Sequence, residues 1–301
     1  MYRISKDLKK YNFPGLIENE SFKKHISGIF SADRAPGAIL ICGEDGCGRN
    51  FAARLLAADY LDDTAGLVLR GIHPDLLTVS GSGTSGQITI ESIREVSYEC
   101  NKAAVMADNK RVVLIRDAFN LNTASANALL KTLEQPPEGV LFIITSRREH
   151  DLIPTVLSRC MVSHVQPVSP AAAYDHLAGK FPGVEPSQLR HVCTALRGHI
   201  GLITKTLSDQ HTFLLFRESE LALNDVMQGN KLGFGAHISA AENRADLKQM
   251  IFFMYSAAAS SPADYVSVSY FLEALAKAYA DADQNINIQL LSSFLTAQIQ
   301  E

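Results

Sequence analysis

The chain has 301 residues, 47% of them apolar and 20% charged, with 28 Lys+Arg against 32 Asp+Glu for a formal net charge of -4. That is enough apolar chain for two or three domains with buried cores. The charge balance excludes a molecule drawn as a whole to nucleic acid or anionic membrane, so any DNA contact is local or shared with partners.

Five cysteines (Cys42, Cys47, Cys100, Cys160 and Cys193) form no CxxC pair. The count argues against a disulfide framework and against a zinc site, and it fits a reducing cytoplasm. Residues 1–10 carry no apolar core of signal-peptide length, and the apolar stretch 250–259 is too short to span a bilayer.

Through the first 165 residues, apolar runs of about five residues alternate with helix-periodic segments. Strands are predicted at 38–42, 76–79, 112–115, 141–144 and 161–165, with helices at 51–61, 91–101, 123–133 and 153–158. Nearly uniformly apolar strands alternating with helices imply a parallel sheet covered on both faces, with ligands at the carboxyl ends of the strands. Beyond residue 165, Pro167, Pro170, Pro182 and Pro186 punctuate short helical segments at 171–179, 187–195 and 200–207 with no strand between them, which reads as a small helical lid. The rest is helical by periodicity, at 213–227, 240–259, 263–280 and 286–299, with a glycine-containing loop at 229–235. The expected division is an α/β domain over 1–166, a lid over 167–208 and a helical bundle over 209–301.

Gly43-Glu44-Asp45-Gly46-Cys47-Gly48-Arg49-Asn50 follows the first strand and opens the first long helix, where a GxxxxGK[ST] loop would aim its N–H groups at phosphates. The glycines fit that template, and the two chemical positions depart from it. Arg49 stands where lysine reaches the outer phosphates, and Asn50 stands where a hydroxyl holds Mg²⁺. Glu44 and Asp45 add negative charge that opposes a triphosphate. The next central strand ends Ile115-Arg116-Asp117, with a cation in the place of the metal-binding acid and only Asp117 left. Hydrolysis at this site is not expected, and residual nucleotide binding is left open.

Asn127-Ala128-Leu129-Leu130-Lys131-Thr132-Leu133-Glu134-Gln135-Pro136-Pro137 and Ser158-Arg159-Cys160 are the stretches by which the chain resembles the clamp-loader branch of AAA+ proteins; Phe13 to Ile17 and His73-Pro74-Asp75-Leu76 agree with it. The resemblance runs from Phe13 to about Leu207, and the last ninety residues match only as a helical domain. It implies a P-loop AAA+ sheet, a lid and a collar bundle. Lost catalytic residues beside a retained Ser158-Arg159-Cys160 single out the delta-prime type of bacterial DNA polymerase III clamp loader. The resemblance makes Arg159, supported by Ser158, an arginine finger acting in trans on a neighbour's γ-phosphate. Thr145 matches a sensor threonine and is read here as structural. Arg197-Gly198-His199-Ile200-Gly201 lies in the second sensor region, with Gly201 where an arginine belongs, and the family's zinc module is absent from 61–72.

The implied molecule is not an enzyme on its own and needs no cofactor, since ATP and Mg²⁺ belong to a neighbouring subunit. Its partners would be gamma/tau-type ATPase subunits, a delta-type clamp-opening subunit, and, through the complex, the sliding clamp and primer–template DNA. Lys102, Lys110 and Arg111 are candidates for local contact with duplex. The competing readings are an active AAA+ motor subunit, a P-loop kinase, which would need more Mg²⁺ ligands than Asp117, and a stand-alone DNA-binding protein, which the acidic charge disfavours.

Overall fold

Each of the five apolar runs forms a strand in the computed structural model, which describes residues 11, 13, 15–31, 36–81, 86–106, 108–260, 269–281 and 288–299. In chain order the first part comprises α1 (Glu20–Ser31), β1 (Ala38–Cys42), α2 (Arg49–Tyr60), α3 (Leu67–Arg70), β2 (Leu76–Val79), α4 (Ile90–Glu99), β3 (Arg111–Ile115), α5 (Thr123–Glu134), β4 (Val140–Ser146), α6 (Pro154–Leu157) and β5 (Met161–His164). The strands make one parallel sheet in the order β2-β3-β4-β1-β5.

Successive residues of a strand face opposite sides of a sheet, and here both sides are covered. Ile39 and Ile41 pack with Val112, Leu114, Leu141 and Ile143 beneath α1 and α2. Leu40 and Cys42 pack with Val113, Ile115, Phe142 and Ile144 beneath α4, α5 and α6. Double coverage is why β1, β3 and β4 are buried at every position, whereas β2 and β5 keep exposed residues at the sheet edges. Side-chain caps start the flanking helices: Thr89 accepts from the Ser92 N–H, and Asn122 from the Ser125 N–H.

The sequence reading missed α1. Its buried Phe22, Ile26 and Ile29 recur at i, i+4 and i+7. An aromatic cluster clamps it, with Phe13 edge-on to Phe22 at 5.3 Å between ring centroids and Tyr11 4.5 Å from Phe30.

The chain divides into two compact units, Met1–Pro167 and Val168–Glu301. Among its described residues the second unit holds helices and no strand: α7 (Pro170–Ala178), α8 (Pro186–Ala195), α9 (Ile200–Ser208), α10 (Gln210–Met227), α11 (Lys231–Ile238), α12 (Arg244–Ser260), α13 (Ser269–Asp281) and α14 (Ile288–Ala297). It holds both the segment read as a lid and the segment read as a bundle. Pro170 and Pro186 sit in the first turns of α7 and α8, where a missing N–H costs nothing. Phe216 meets Phe253 edge-on at 5.4 Å, and the Ser256 hydroxyl donates to the Ala195 carbonyl at 2.9 Å, so α8, α10 and α12 share one core.

Two expectations need correction here. The loop read at 229–235 is largely helix α11, anchored by buried Phe234 and Ile238. The helix read at 240–259 starts only at Arg244, because Asn243 Oδ1 accepts the Asp246 N–H and caps it there. Residues 263–268 and 286–287 of the expected helices lie outside the described residues. No helix among the described residues is long and apolar enough to cross a membrane.

Helix α8 closes in a Schellman turn: the Arg197 N–H donates to the Thr194 carbonyl and the Gly198 N–H to that of Cys193. Gly198 has φ +71°, and a Cβ there would lie 1.8 Å from the Val168 carbonyl oxygen. Gly198→Ala is therefore expected to destabilise the protein by roughly 1–3 kcal/mol, read as a lower urea midpoint.

Candidate functional site

The phosphate-type loop runs from the end of β1 to the first residue of α2. Gly43 is required there, because a Cβ would come within 2.6 Å of both Cys47 Sγ and the Val165 carbonyl oxygen. Gly48, at φ +102°, turns the chain into the helix, and no side chain caps that N-terminus.

A cation at a helix N-terminus opposes the helix dipole, and Arg49 is nonetheless 5% exposed. Its guanidinium folds back into the loop. Nη1 donates to the Gly43 carbonyl at 2.9 Å, and Nη2 donates to Asp45 Oδ1 at 2.8 Å and to Asp117 Oδ1 at 2.7 Å. Burial pulls the pKa of Arg49 down; Asp45 and Asp117 more than offset this and hold it above its ordinary value. Charge-assisted bonds of this length are among the stronger hydrogen bonds in proteins.

The neighbouring strand ends complete the cluster. β3 and β4 pair Ile115 with Ile144, which sets Asp117 beside Thr145. Asp117 has φ +55°, and its N–H donates to Thr145 Oγ1 at 2.9 Å. That hydroxyl donates in turn to Asn50 Oδ1 at 2.8 Å. Arg147 Nε lies 2.9 Å from Asp45 Oδ2, and the Arg147 guanidinium stacks 4.1 Å over the Phe119 ring. The cluster thus balances two arginines with two aspartates. The Asn50 oxygen, the Asp117 carboxylate and the Thr145 hydroxyl are all engaged with each other or with Arg49. Among the described residues no three His, Cys, Asp or Glu side chains group to hold a metal.

The structure therefore brings Gly43, Gly46, Gly48, Arg49, Asn50, Asp117 and Thr145 to one place. Asp45 corrects its sequence reading, since its charge is taken up by Arg49 and Arg147 and does not stand free against a phosphate. Arg147 and Phe119 were missed; the signals were a basic residue two after Thr145 and an aromatic two after Asp117.

Ser158 and Arg159 form a second group. Ser158 ends α6, whose Pro154 opens it and whose Val156 is buried. Arg159 Nη1 donates to the Thr155 carbonyl at 2.8 Å and to Ser158 Oγ at 3.3 Å, and Nη2 donates to Glu134 Oε1 at 2.7 Å. The Arg159 side chain stays 33% exposed and borders an open groove of about 740 Å³ whose walls include Lys24, His25, Gly28, Pro136 and Met161. Glu134 and Thr155 were missed as partners of Arg159. Burial pushes the Cys160 thiol up to about 12, as it does Cys42, so neither is a thiolate near neutral pH.

Arg111 is corrected as a candidate for contact with duplex. It is 6% exposed and spends its guanidinium on the Glu99 and Ala103 carbonyls, with Asp75 at 3.5 Å. Lys110 pairs with Asp62 and Lys102 with Glu99. Arg197 is the exposed left-handed residue of the Schellman turn, at φ +48°.

The sequence profile of the family described as DNA polymerase III, delta subunit, matches residues 18–169. The Escherichia coli DNA polymerase III subunit delta′ is 37% identical over 101 residues, 34% of this chain and 30% of that protein. The Pseudomonas aeruginosa subunit delta′ is 30% identical over 164 residues, 54% of this chain and 46% of the relative. The matched stretches thus span less than half the length of these relatives. Among solved structures, a gamma subunit-related protein of DNA polymerase III from Thermotoga maritima superposes with a TM-score of 0.53 over 87% of this chain and 93% of its own, at 21% identity, a likeness of fold. With the five-stranded parallel sheet and its helical sequel in place, and with the profile match running from α1 to the start of the second unit, the chain belongs to the DNA polymerase III delta-subunit family and stands with its delta-prime members.

Proposed function

We propose that this chain is a non-hydrolysing, cytoplasmic member of a replicative clamp loader that supplies Arg159 in trans to the ATP site of a neighbouring gamma/tau-type subunit. Its other partners would be a delta-type subunit and, through the assembly, a sliding clamp and primer–template DNA. The observation that carries this reading is the Arg49 guanidinium lodged in its own phosphate loop, with Gly43, Asp45 and Asp117 around it. A loop that supplies its own cation and anions offers little to a nucleotide phosphate or to Mg²⁺. The relatives of tau and gamma/tau type support the partner assignment, being 26% and 29% identical over 172 and 162 residues.

The test is equilibrium binding of a fluorescent ATP analogue to the isolated chain, with and without Mg²⁺, beside its ATP turnover. Weak, Mg²⁺-indifferent binding without turnover is expected; Mg²⁺-dependent binding with hydrolysis would make the chain a motor subunit. A companion variant, Arg49→Ala, is expected to leave turnover of the assembled complex within about twofold. It should lower the urea midpoint of this chain, because Asp117 and the Gly43 carbonyl lose their donor at a cost of roughly 1–3 kcal/mol.

A further inference from the structure

We propose that Glu134 is the positioning residue of the Arg159 finger, which deepens the trans-acting reading above and rests on it. Glu134 is the last residue of α5, where a carboxylate faces the negative pole of the helix, so the stability of α5 does not account for it. What it gains there is Arg159, whose Nη2 it accepts at 2.7 Å. The side chains are 52% and 33% exposed, and a pair so open to solvent contributes little to stability. Its effect is directional.

Arg159 carries five N–H donors. Three are used within the chain, by Thr155, Ser158 and Glu134. The other two make no hydrogen bond to the described residues, and two are what a planar guanidinium needs to grip a phosphate. The platform beneath is stiff on both sides. Pro136 and Pro137 end α5, and Pro136 packs so closely on Gly37 that a Cβ there would lie 2.6 Å from its ring. Across from them Leu152 and Val156, both buried, seat α6. Without Glu134, the Arg159 side chain would keep its Thr155 bond and lose the contact that fixes the far end of its guanidinium. Misplacement of a transition-state group by about an ångström can cost a factor on the order of 10².

The experiment uses the reconstituted complex with its ATPase neighbours, comparing Glu134→Ala, Glu134→Gln, Arg159→Ala and the Glu134→Ala/Arg159→Ala double variant for kcat and KM toward ATP, with assembly checked by size exclusion. Glu134→Ala is expected to lower kcat about tenfold with KM within about twofold. Glu134→Gln, which keeps an accepting oxygen, should recover most of that loss. The double variant should be no slower than Arg159→Ala alone, since a positioning residue has nothing left to position. If Arg159→Ala slows turnover while Glu134→Ala does not, or if the two losses multiply, the role of Glu134 is overturned and the finger stands. If Arg159→Ala itself leaves turnover unchanged, both fall. Should the alanine variant fail to assemble, Glu134→Leu, which likewise offers no acceptor, takes its place: a kcat about tenfold down at unchanged KM supports the proposal, and wild-type kcat in that variant overturns it.

Discussion

On the trans-acting role proposed above, Arg159→Ala is expected to lower ATP turnover of the assembled complex by about 10³-fold at each site this chain would complete, because arginine fingers contribute roughly 10³–10⁵ to phosphoryl transfer. The loss should fall on kcat, since a guanidinium in that role would meet charge that grows in the transition state. The isolated chain should fold as before: the residue is partly exposed, and its ion pair with Glu134 lies at the surface. Lysine is expected to rescue poorly, because an ammonium cannot hold Thr155, Ser158 and Glu134 in one plane and still present a fork outward. Single-turnover kinetics on the complex, alongside co-elution with its partners, separates lost chemistry from lost assembly.

The second large effect is on stability, at Asp75. This carboxylate is fully buried and accepts the N–H groups of Val105 and Met106 at 2.7 and 2.8 Å, with the Arg111 guanidinium beside it. Asp75→Ala removes the acceptor and leaves the Arg111 cation enclosed, a change that costs about 3–5 kcal/mol when a buried pair is broken. The urea midpoint of the unit Met1–Pro167 should fall accordingly, followed by far-ultraviolet circular dichroism because the chain has no tryptophan. Asp75→Asn, which keeps one accepting oxygen, should lose less. An unchanged midpoint in the alanine variant would mean that solvent readily replaces the carboxylate.

His73-Pro74-Asp75-Leu76 shows how far the sequence could be read. The resemblance marked this stretch without saying what it does. In the folded chain His73 Nδ1 accepts the Asp75 N–H, which turns the backbone so that the carboxylate enters the core and ties down the segment after α4. Partners thirty residues away cannot be inferred from four letters. The same limit applied at Arg49: its departure from lysine was visible, whereas the destination of its charge depended on Asp117, brought near by the sheet order.

Strands were legible for the opposite reason. Burial on both faces makes Ala38–Cys42 and Arg111–Ile115 apolar almost without interruption, a signal that needs no knowledge of neighbours. Helix α11 failed the local test, since Gly233 and Gly235 lie inside it and glycine disfavours helix. Packing overrode propensity there: Phe234 is fully buried and edge-on to Phe271 at 5.5 Å. The start of α12 could have been found from Asn243, a good capping residue, had it been weighed above the apolar run.

A phosphate loop already filled by its own arginine also has a thermodynamic consequence. A protein that binds nucleotide only when folded gains stability as nucleotide accumulates, about 2.7 kcal/mol at a hundred times the dissociation constant. A chain whose loop charge is satisfied by Arg49, Asp45 and Asp117 would, on the function proposed above, draw nothing from that source. Its melting temperature should then stay level as ATP rises and falls, while that of an ATP-binding neighbour drifts, so the stability of this chain would not follow the energy state of the cell.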